Sequence, residues 1–272
     1  MIYSLERVTK QYRTREGLVR ALDGVTLDVR AGERVAVIGR SGVGKTTLFR
    51  LLNATQRPTG GVLRFAGREV GLMSGGELRG LRRRVGTVHQ QHHLVPSLSV
   101  LDNALCGRLG RWTLLHTLRS AVRPSRREVE EATAVLESVG LADKRRARAD
   151  ELSGGQQQRL AIARTLLQEP DVILADEPVA SLDPALAESI IELLMRVAQE
   201  GARTLIVSLH AVELARRYFP RVVALRRGAV ALDVSADGLS PQTFGEIFSD
   251  GPPEEEKPRH DADPRGKLYC SR

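Results

Sequence analysis

The sequence predicts an α/β fold: a layered core with an antiparallel β subdomain and an inserted α-helical subdomain. Three observations carry that expectation. Short β-branched runs alternate with amphipathic stretches of helical period, the pattern of strands covered by helices. A glycine-rich loop joins one such run to the helical stretch after it. From about Val100 to Val139 the chain is instead mainly helical, broken near "VRPS", and interrupts the alternation.

Each element follows in chain order. The N-terminal "IYSLERVTKQY" and "LVRALDGVTLDVR" read as antiparallel strands laid on the core. "RVAVIG" (34–39) is a short β-branched run, and the helical "KTTLFRLLNAT" follows the loop after it. "DVILAD" (171–176) and "RTLIVSLH" (203–210) are two further buried strands. Between them, "PALAESIIELLMRVAQEG" sets Leu186, Ile190, Leu193, Leu194 and Val197 on one helical face, with Pro184 before it and Gly201 after. The last stretch, "DGPPEEEKPRHDADPRGKLYCSR", is rich in proline and charge without an apolar period, so residues 251–272 are expected to form a flexible tail.

Composition narrows the class. A hydrophobic fraction of 42% and a charged fraction of 27% are those of an ordinary soluble globular protein. No apolar run approaches the roughly 18 residues that cross a bilayer, and no signal peptide opens the sequence. Any membrane work is therefore expected to go through a partner. Cys106 and Cys270 are too few and too far apart for a disulfide framework, which suits a reducing cytoplasm. The net charge of +8 fits nucleic acid, an anionic membrane surface, or solvated faces such as "RRR" at 82–84, and leaves these open.

The chemistry starts at "GRSGVGKT" (39–46), which has the form G-x-x-x-x-G-K-[ST] between a strand and a helix. Gly39, Gly42 and Gly44 let the backbone through Arg40, Ser41 and Val43 wrap closely, so its N–H groups and the next helix N-terminus face phosphates. Lys45 reaches the β- and γ-phosphates of ATP, Thr46 offers its hydroxyl to Mg²⁺, and Thr47 adds a phosphate hydrogen bond. Asp176 and Glu177 directly follow the apolar run "VILA", where charge is costly to bury. In a P-loop ATPase the first of such a pair holds Mg²⁺ and the second is the general base for the attacking water.

Two further phrases resemble a known family. "LSGGQQQR" (152–159) resembles the signature sequence of ATP-binding cassette (ABC) transporter ATPase subunits, and "SLD" (181–183) resembles their D-loop. The resemblance covers about residues 2–235 and implies a P-loop NTPase (RecA-like) core. It implies a nucleotide-binding domain over 1–250, with the helical subdomain at about 96–158. It also implies that Ser153, Gly154, Gly155 and Gln156, at a helix N-terminus, hold the γ-phosphate of ATP bound to a second copy of the chain, with Asp183 at the same junction. Tyr12 stands where the family stacks an aromatic ring on adenine. Gln90 resembles the glutamine that senses Mg²⁺ and the attacking water, and His210 the histidine that contacts the γ-phosphate. His89 stands where relatives often carry phenylalanine. The cluster "HQQHH" (89–93) lacks the cysteine or carboxylate that would complete a metal set.

"QQHHLVPSLSVLDNALCGRLGR", "ADEPVASLDP" and "SLHAVELARRYFPRVVALRRG" together resemble the ATPase subunits of phosphonate importers. That likeness implies transmembrane permease subunits as partners and an extracytoplasmic solute-binding protein reached through them. It implies a peripheral place on the cytoplasmic face of the bacterial inner membrane. The competing readings are a cassette ATPase that energises transport of another solute and one acting on nucleic acid, the latter favoured by the pI of 10.1. Such relatives carry a long coiled coil, a zinc insertion or two cassettes, and here only an ordinary helical stretch joins Lys45 to Ser153, so no nucleic-acid partner is expected.

Overall fold

The computed structural model describes residues 1–238 apart from Glu16, His92 and Ser181. The 251–272 tail with Cys270, His92 of the histidine cluster and Ser181 of the "SLD" phrase lie outside the described residues.

The first two strands, β1 (Tyr3–Thr14) and β2 (Gly17–Val29), pair antiparallel, as their alternating pattern predicts. They belong to a four-stranded sheet of order β2-β1-β4-β5, completed by β4 (Gly60–Phe65) and the short β5 (Arg68–Glu69). A six-stranded sheet forms the centre. Its members are β3 (Arg34–Ile38), β6 (Val85–His89), β7 (Val172–Asp176), β8 (Thr204–Leu209), β9 (Arg221–Arg226) and β10 (Ala229–Ser235), in the order β10-β9-β3-β8-β7-β6. All neighbours in it are parallel except β9 and β10.

Alternation along β3 divides the core. Val35 and Val37 join one apolar layer, Ala36 and Ile38 the other, because successive side chains leave opposite faces of a strand. The first layer packs α1 (Lys45–Leu52), α2 (Gly75–Arg84) and the four-stranded sheet. The second packs α3 (Val100–Leu105), α5 (Arg126–Ser138), α6 (Gly154–Leu167), α7 (Pro184–Glu200) and α8 (Val212–Tyr218). A shorter-lived period puts α4 (Leu114–Val122) between α3 and α5, with the break at "VRPS" ending it.

Sequence reading left β4, β5, β6, β9, β10, α2 and α8 unassigned. α2 carries a complete capping box, in which Ser74 Oγ accepts from the Glu77 N–H and Glu77 Oε2 accepts from the Ser74 N–H. Cys106 begins a 3₁₀ turn (Cys106–Arg108) after α3 and is half-buried. No helix among the described residues is long and apolar enough to cross a membrane.

Candidate nucleotide-binding and catalytic site

The parallel strands β3, β6, β7 and β8 deliver the candidate site residues at their carboxyl ends, where open α/β sheets leave a crevice for ligands. β3 runs into the loop Gly39–Gly44 and then α1, which opens with Lys45. Gly44 is the residue before α1, at φ 109°, and a Cβ there would lie 2.4 Å from the Ala21 carbonyl oxygen of β2. Only glycine fits both the conformation and the space. The loop thus leans directly on the antiparallel sheet.

Lys45 is 3% exposed, and its Nζ donates to the carbonyls of Gly39 (2.8 Å) and Arg40 (3.1 Å). Burial pushes its pKa down, opposed by the nearby carboxylates of Glu177 and Asp176. Thr46, on the first turn of α1, is exposed, and Thr47 is half-buried.

Asp176 ends β7, and Glu177 follows it in a left-handed conformation, φ 51°, rare for a residue with a side chain. Glu177 Oε1 lies 3.4 Å from Lys45 Nζ and 2.7 Å from His210 Nε2. His210 leaves the end of β8 and is 43% exposed, so one face of this trio is open to a ligand. The same end of the sheet holds a cavity of about 350 Å³ whose lining includes Glu177, Ser208 and His210 with the apolar Val179, Leu182 and Leu214.

Gln90 follows the last residue of β6, and His89 is the register partner of Asp176, so the exposed Gln90 begins level with the acids. The rings of His89 and His93 meet at a tilt of 59° with centroids 4.7 Å apart. Burial and the neighbouring His93 hold the His89 pKa below its ordinary value, against a pull from Asp176.

Tyr12 lies on β1, half-buried, and its hydroxyl donates to Gln56 Oε1 in the turn after α1. That bond ties the ring to the helix that the phosphate loop starts. No contact of Tyr12 to that loop appears among the described residues.

The remaining predicted residues gather elsewhere. Ser153 caps α6, accepting from the Gln156 N–H, while Gln156 Oε1 accepts from the Ser153 N–H. Asp183 caps α7 through Oδ1, which accepts from the Leu186 N–H, with Pro184 at the first helical position. A Cβ on Gly155 would meet Leu186 at 2.6 Å, so the two helix starts are packed together. No hydrogen bond or ion pair among the described residues joins Ser153, Gly154, Gly155, Gln156 or Asp183 to Lys45 or Glu177. Ser153, Gly154, Gly155 and Gln156 thus gather at the start of α6, while Pro184 and Ala187 of α7 line the same cavity as Glu177 and His210.

Sequence reasoning passed over Ser208. It is fully buried in β8, accepts from the Glu177 N–H (2.8 Å) and donates to Asp176 Oδ1 (2.7 Å). The available signal was a hydroxyl inside the otherwise apolar "LIVSL", since a buried polar group needs a partner.

Comparison with known proteins places this geometry in a family. A family model described as ABC transporter matches residues 22–180. A phosphonates import ATP-binding protein PhnC from Anaeromyxobacter dehalogenans is 50% identical over 232 residues, covering 85% of this chain and 46% of that relative. The chain thus spans about half of that protein's length. A PhnC from Pseudomonas entomophila is 44% identical over 235 residues, covering 86% of this chain and 88% of the relative. Among solved structures, the dimeric post-hydrolysis state of the ATP-binding cassette MJ0796 bound to ADP and Pi has a TM-score of 0.73 at 31% identity. It covers 87% of this chain and 100% of that one. A second dimeric structure of MJ0796 has a TM-score of 0.76 at 31% identity, with the same coverage. The fold is that of these cassettes. With a family match over more than half its length and relatives of this identity, the chain belongs to the ABC transporter family.

Proposed function

We propose that this chain hydrolyses ATP on the cytoplasmic face of a bacterial inner membrane to energise an importer of phosphonates or a related phosphorus oxyanion. The observation that supports hydrolysis best is the Glu177 carboxylate, held at 3.4 Å from the buried Lys45 ammonium and 2.7 Å from His210. The import reading rests on the names of the PhnC relatives.

In this reading the backbone of Gly39, Arg40, Ser41, Gly42, Val43 and Gly44, with Lys45 and Thr47, binds the phosphates of ATP. Glu177 accepts a proton from the attacking water, and His210, bonded to the same carboxylate, orients it and faces the γ-phosphate. Asp176 and Thr46 offer one carboxylate and one hydroxyl, hard oxygen donors that suit Mg²⁺, which binds through few protein groups and keeps other positions for phosphate and water. When bound, that ion neutralises charge on the phosphoryl oxygens. Gln90 lies between this centre and the permease. Ser153, Gly154, Gly155, Gln156 and Asp183 complete the site of a second copy of the chain, a reading supported by the dimeric state of the MJ0796 structures. Residues 1–250 then form the nucleotide-binding domain, with the helical subdomain at about 96–158. The permease receives its cargo from an extracytoplasmic solute-binding protein.

Growth tests the cargo. A strain lacking this gene is expected to grow on inorganic phosphate but not on methylphosphonate as phosphorus source. The parental gene restores growth on methylphosphonate, and Glu177→Gln does not. Unimpaired growth of the deletion strain on phosphonates would remove the cargo assignment and leave the ATPase assignment standing.

Tyr12→Ala is expected to weaken ATP binding about tenfold with little change in kcat, because a base–aromatic stack is worth about 1–3 kcal/mol and is made equally in ground and transition states. Tyr12→Phe keeps the ring and loses only the bond to Gln56, so it should bind ATP nearly as the parent does. Equal losses in both variants would show that the hydroxyl tether, not stacking, is what matters.

A further inference from the structure

Strand β8 is buried at every position from Thr204 to Leu209, with Leu205, Ile206, Val207 and Leu209 filling the two apolar layers. Among residues 205–209, otherwise apolar, Ser208 carries the one hydroxyl. Ser208 is the register partner of Asp176 across the parallel β7–β8 pair, and it uses both sides of its oxygen. Its proton goes to Asp176 Oδ1 at 2.7 Å, and its lone pair takes the Glu177 N–H at 2.8 Å.

These two bonds act on different things. The first fixes the rotation of the Asp176 carboxylate by occupying one oxygen, so the other oxygen has a set direction. The second holds the peptide that enters Glu177, whose φ of 51° is one that side-chain-bearing residues seldom keep without outside support. The Glu177 side chain then leaves the backbone along a line that brings Oε1 to His210 and Lys45. A hydrophobic residue at 208 would suit the strand as well as its neighbours do. It would leave the Glu177 N–H and the bonded oxygen of Asp176 without this partner.

We propose that Ser208 is a positioning residue for the reaction, which sets the direction of the Asp176 carboxylate and the backbone of Glu177 at once. It touches neither nucleotide nor water in this account. It acts through the two acids, and so it rests on the roles given to Asp176 and Glu177 above.

The test uses the full chain with a fluorescent ATP analogue and steady-state hydrolysis. Ser208→Ala is expected to lower kcat by ten- to a hundredfold. Its affinity for the analogue without Mg²⁺ should stay within twofold of the parent, while the gain in affinity on adding Mg²⁺ shrinks. A purely structural serine would lower the melting temperature and leave both the kcat of the folded protein and the Mg²⁺-dependent gain intact. That result would overturn the proposal, as would an equal loss of affinity with and without Mg²⁺. Should Ser208→Ala fail to fold, Ser208→Thr keeps the hydroxyl and is expected to retain the Mg²⁺-dependent gain. Loss of that gain in a folded Ser208→Thr variant would overturn the proposal too. Asp176→Asn, measured alongside, reports on the metal assignment separately: a full Mg²⁺-dependent gain in that variant means the assignment has failed, whatever Ser208 does.

Discussion

Glu177→Gln is expected to hold ATP and hardly hydrolyse it. The substitution keeps the shape of the side chain and its bond to His210 but removes the base, and losing general base catalysis costs about 10²–10⁴ in rate. The left-handed backbone at Glu177 and its N–H bond to Ser208 are untouched, so the surroundings stay in place. Binding should even improve slightly. Glu177 Oε1 lies 3.4 Å from Lys45 Nζ and competes with phosphate for the ammonium, whereas a neutral amide competes weakly. The variant should therefore collect as an ATP-bound pair of subunits, visible by size-exclusion chromatography in Mg-ATP, while the parent turns over and separates. Asp176→Asn should form much less of that pair. Turnover of Glu177→Gln within about threefold of the parent would remove Glu177 as the base. Absence of any ATP-dependent pair, with or without the permease, would remove the shared site.

Gly44→Ala is expected to damage both stability and nucleotide binding. A left-handed backbone costs a residue with a side chain on the order of 1–3 kcal/mol, and at φ 109° the added methyl would also lie 2.4 Å from the Ala21 carbonyl and 2.8 Å from Leu22 Cδ2. Those neighbours belong to β2, whose Leu22 is fully buried, so they have little room to retreat. Relief comes only by lifting the loop off the sheet, which moves the N–H groups that face phosphate. Denaturant melts should show a loss of about 2–4 kcal/mol, and ATP affinity should fall more than a hundredfold. By contrast Gly42→Ala, at φ 80° with nothing within 4 Å of the added carbon, should show the backbone penalty alone. Equal behaviour of the two variants would mean that contact with β2 is irrelevant.

The parts of the site that are local in sequence were legible. A β-branched run, a glycine loop and Lys45 follow one another within a dozen positions, and Asp176 and Glu177 are marked by the apolar run before them. The start of α6 was readable because "LSGGQQQR" resembles a known signature phrase, and the structure shows the capping box of Ser153 and Gln156 there. Ser74 and Glu77 give the same signal for α2, but two glycines and a run of arginines hid it. What stayed hidden depends on pairing across the fold. Ser208 looks like an ordinary strand residue until β8 is set beside β7 in register. The bond from Tyr12 to Gln56 spans 44 positions, and nothing in either segment announces it. The hairpin of β9 and β10 was missed because the turn "RRG" between them reads as one more basic patch.

The bonds from Lys45 Nζ to the Gly39 and Arg40 carbonyls have a thermodynamic consequence. A loop that grips its own cation is held in shape by its own contacts. Association then exchanges one set of charged contacts for another and orders little chain, so the entropy penalty that burdens binding by flexible loops is largely absent. Encounter resembles the docking of a rigid socket, with a rate set by diffusion and electrostatic attraction more than by folding of the receptor. The slow steps of a cycle would then fall on whatever brings two such sockets together and parts them again.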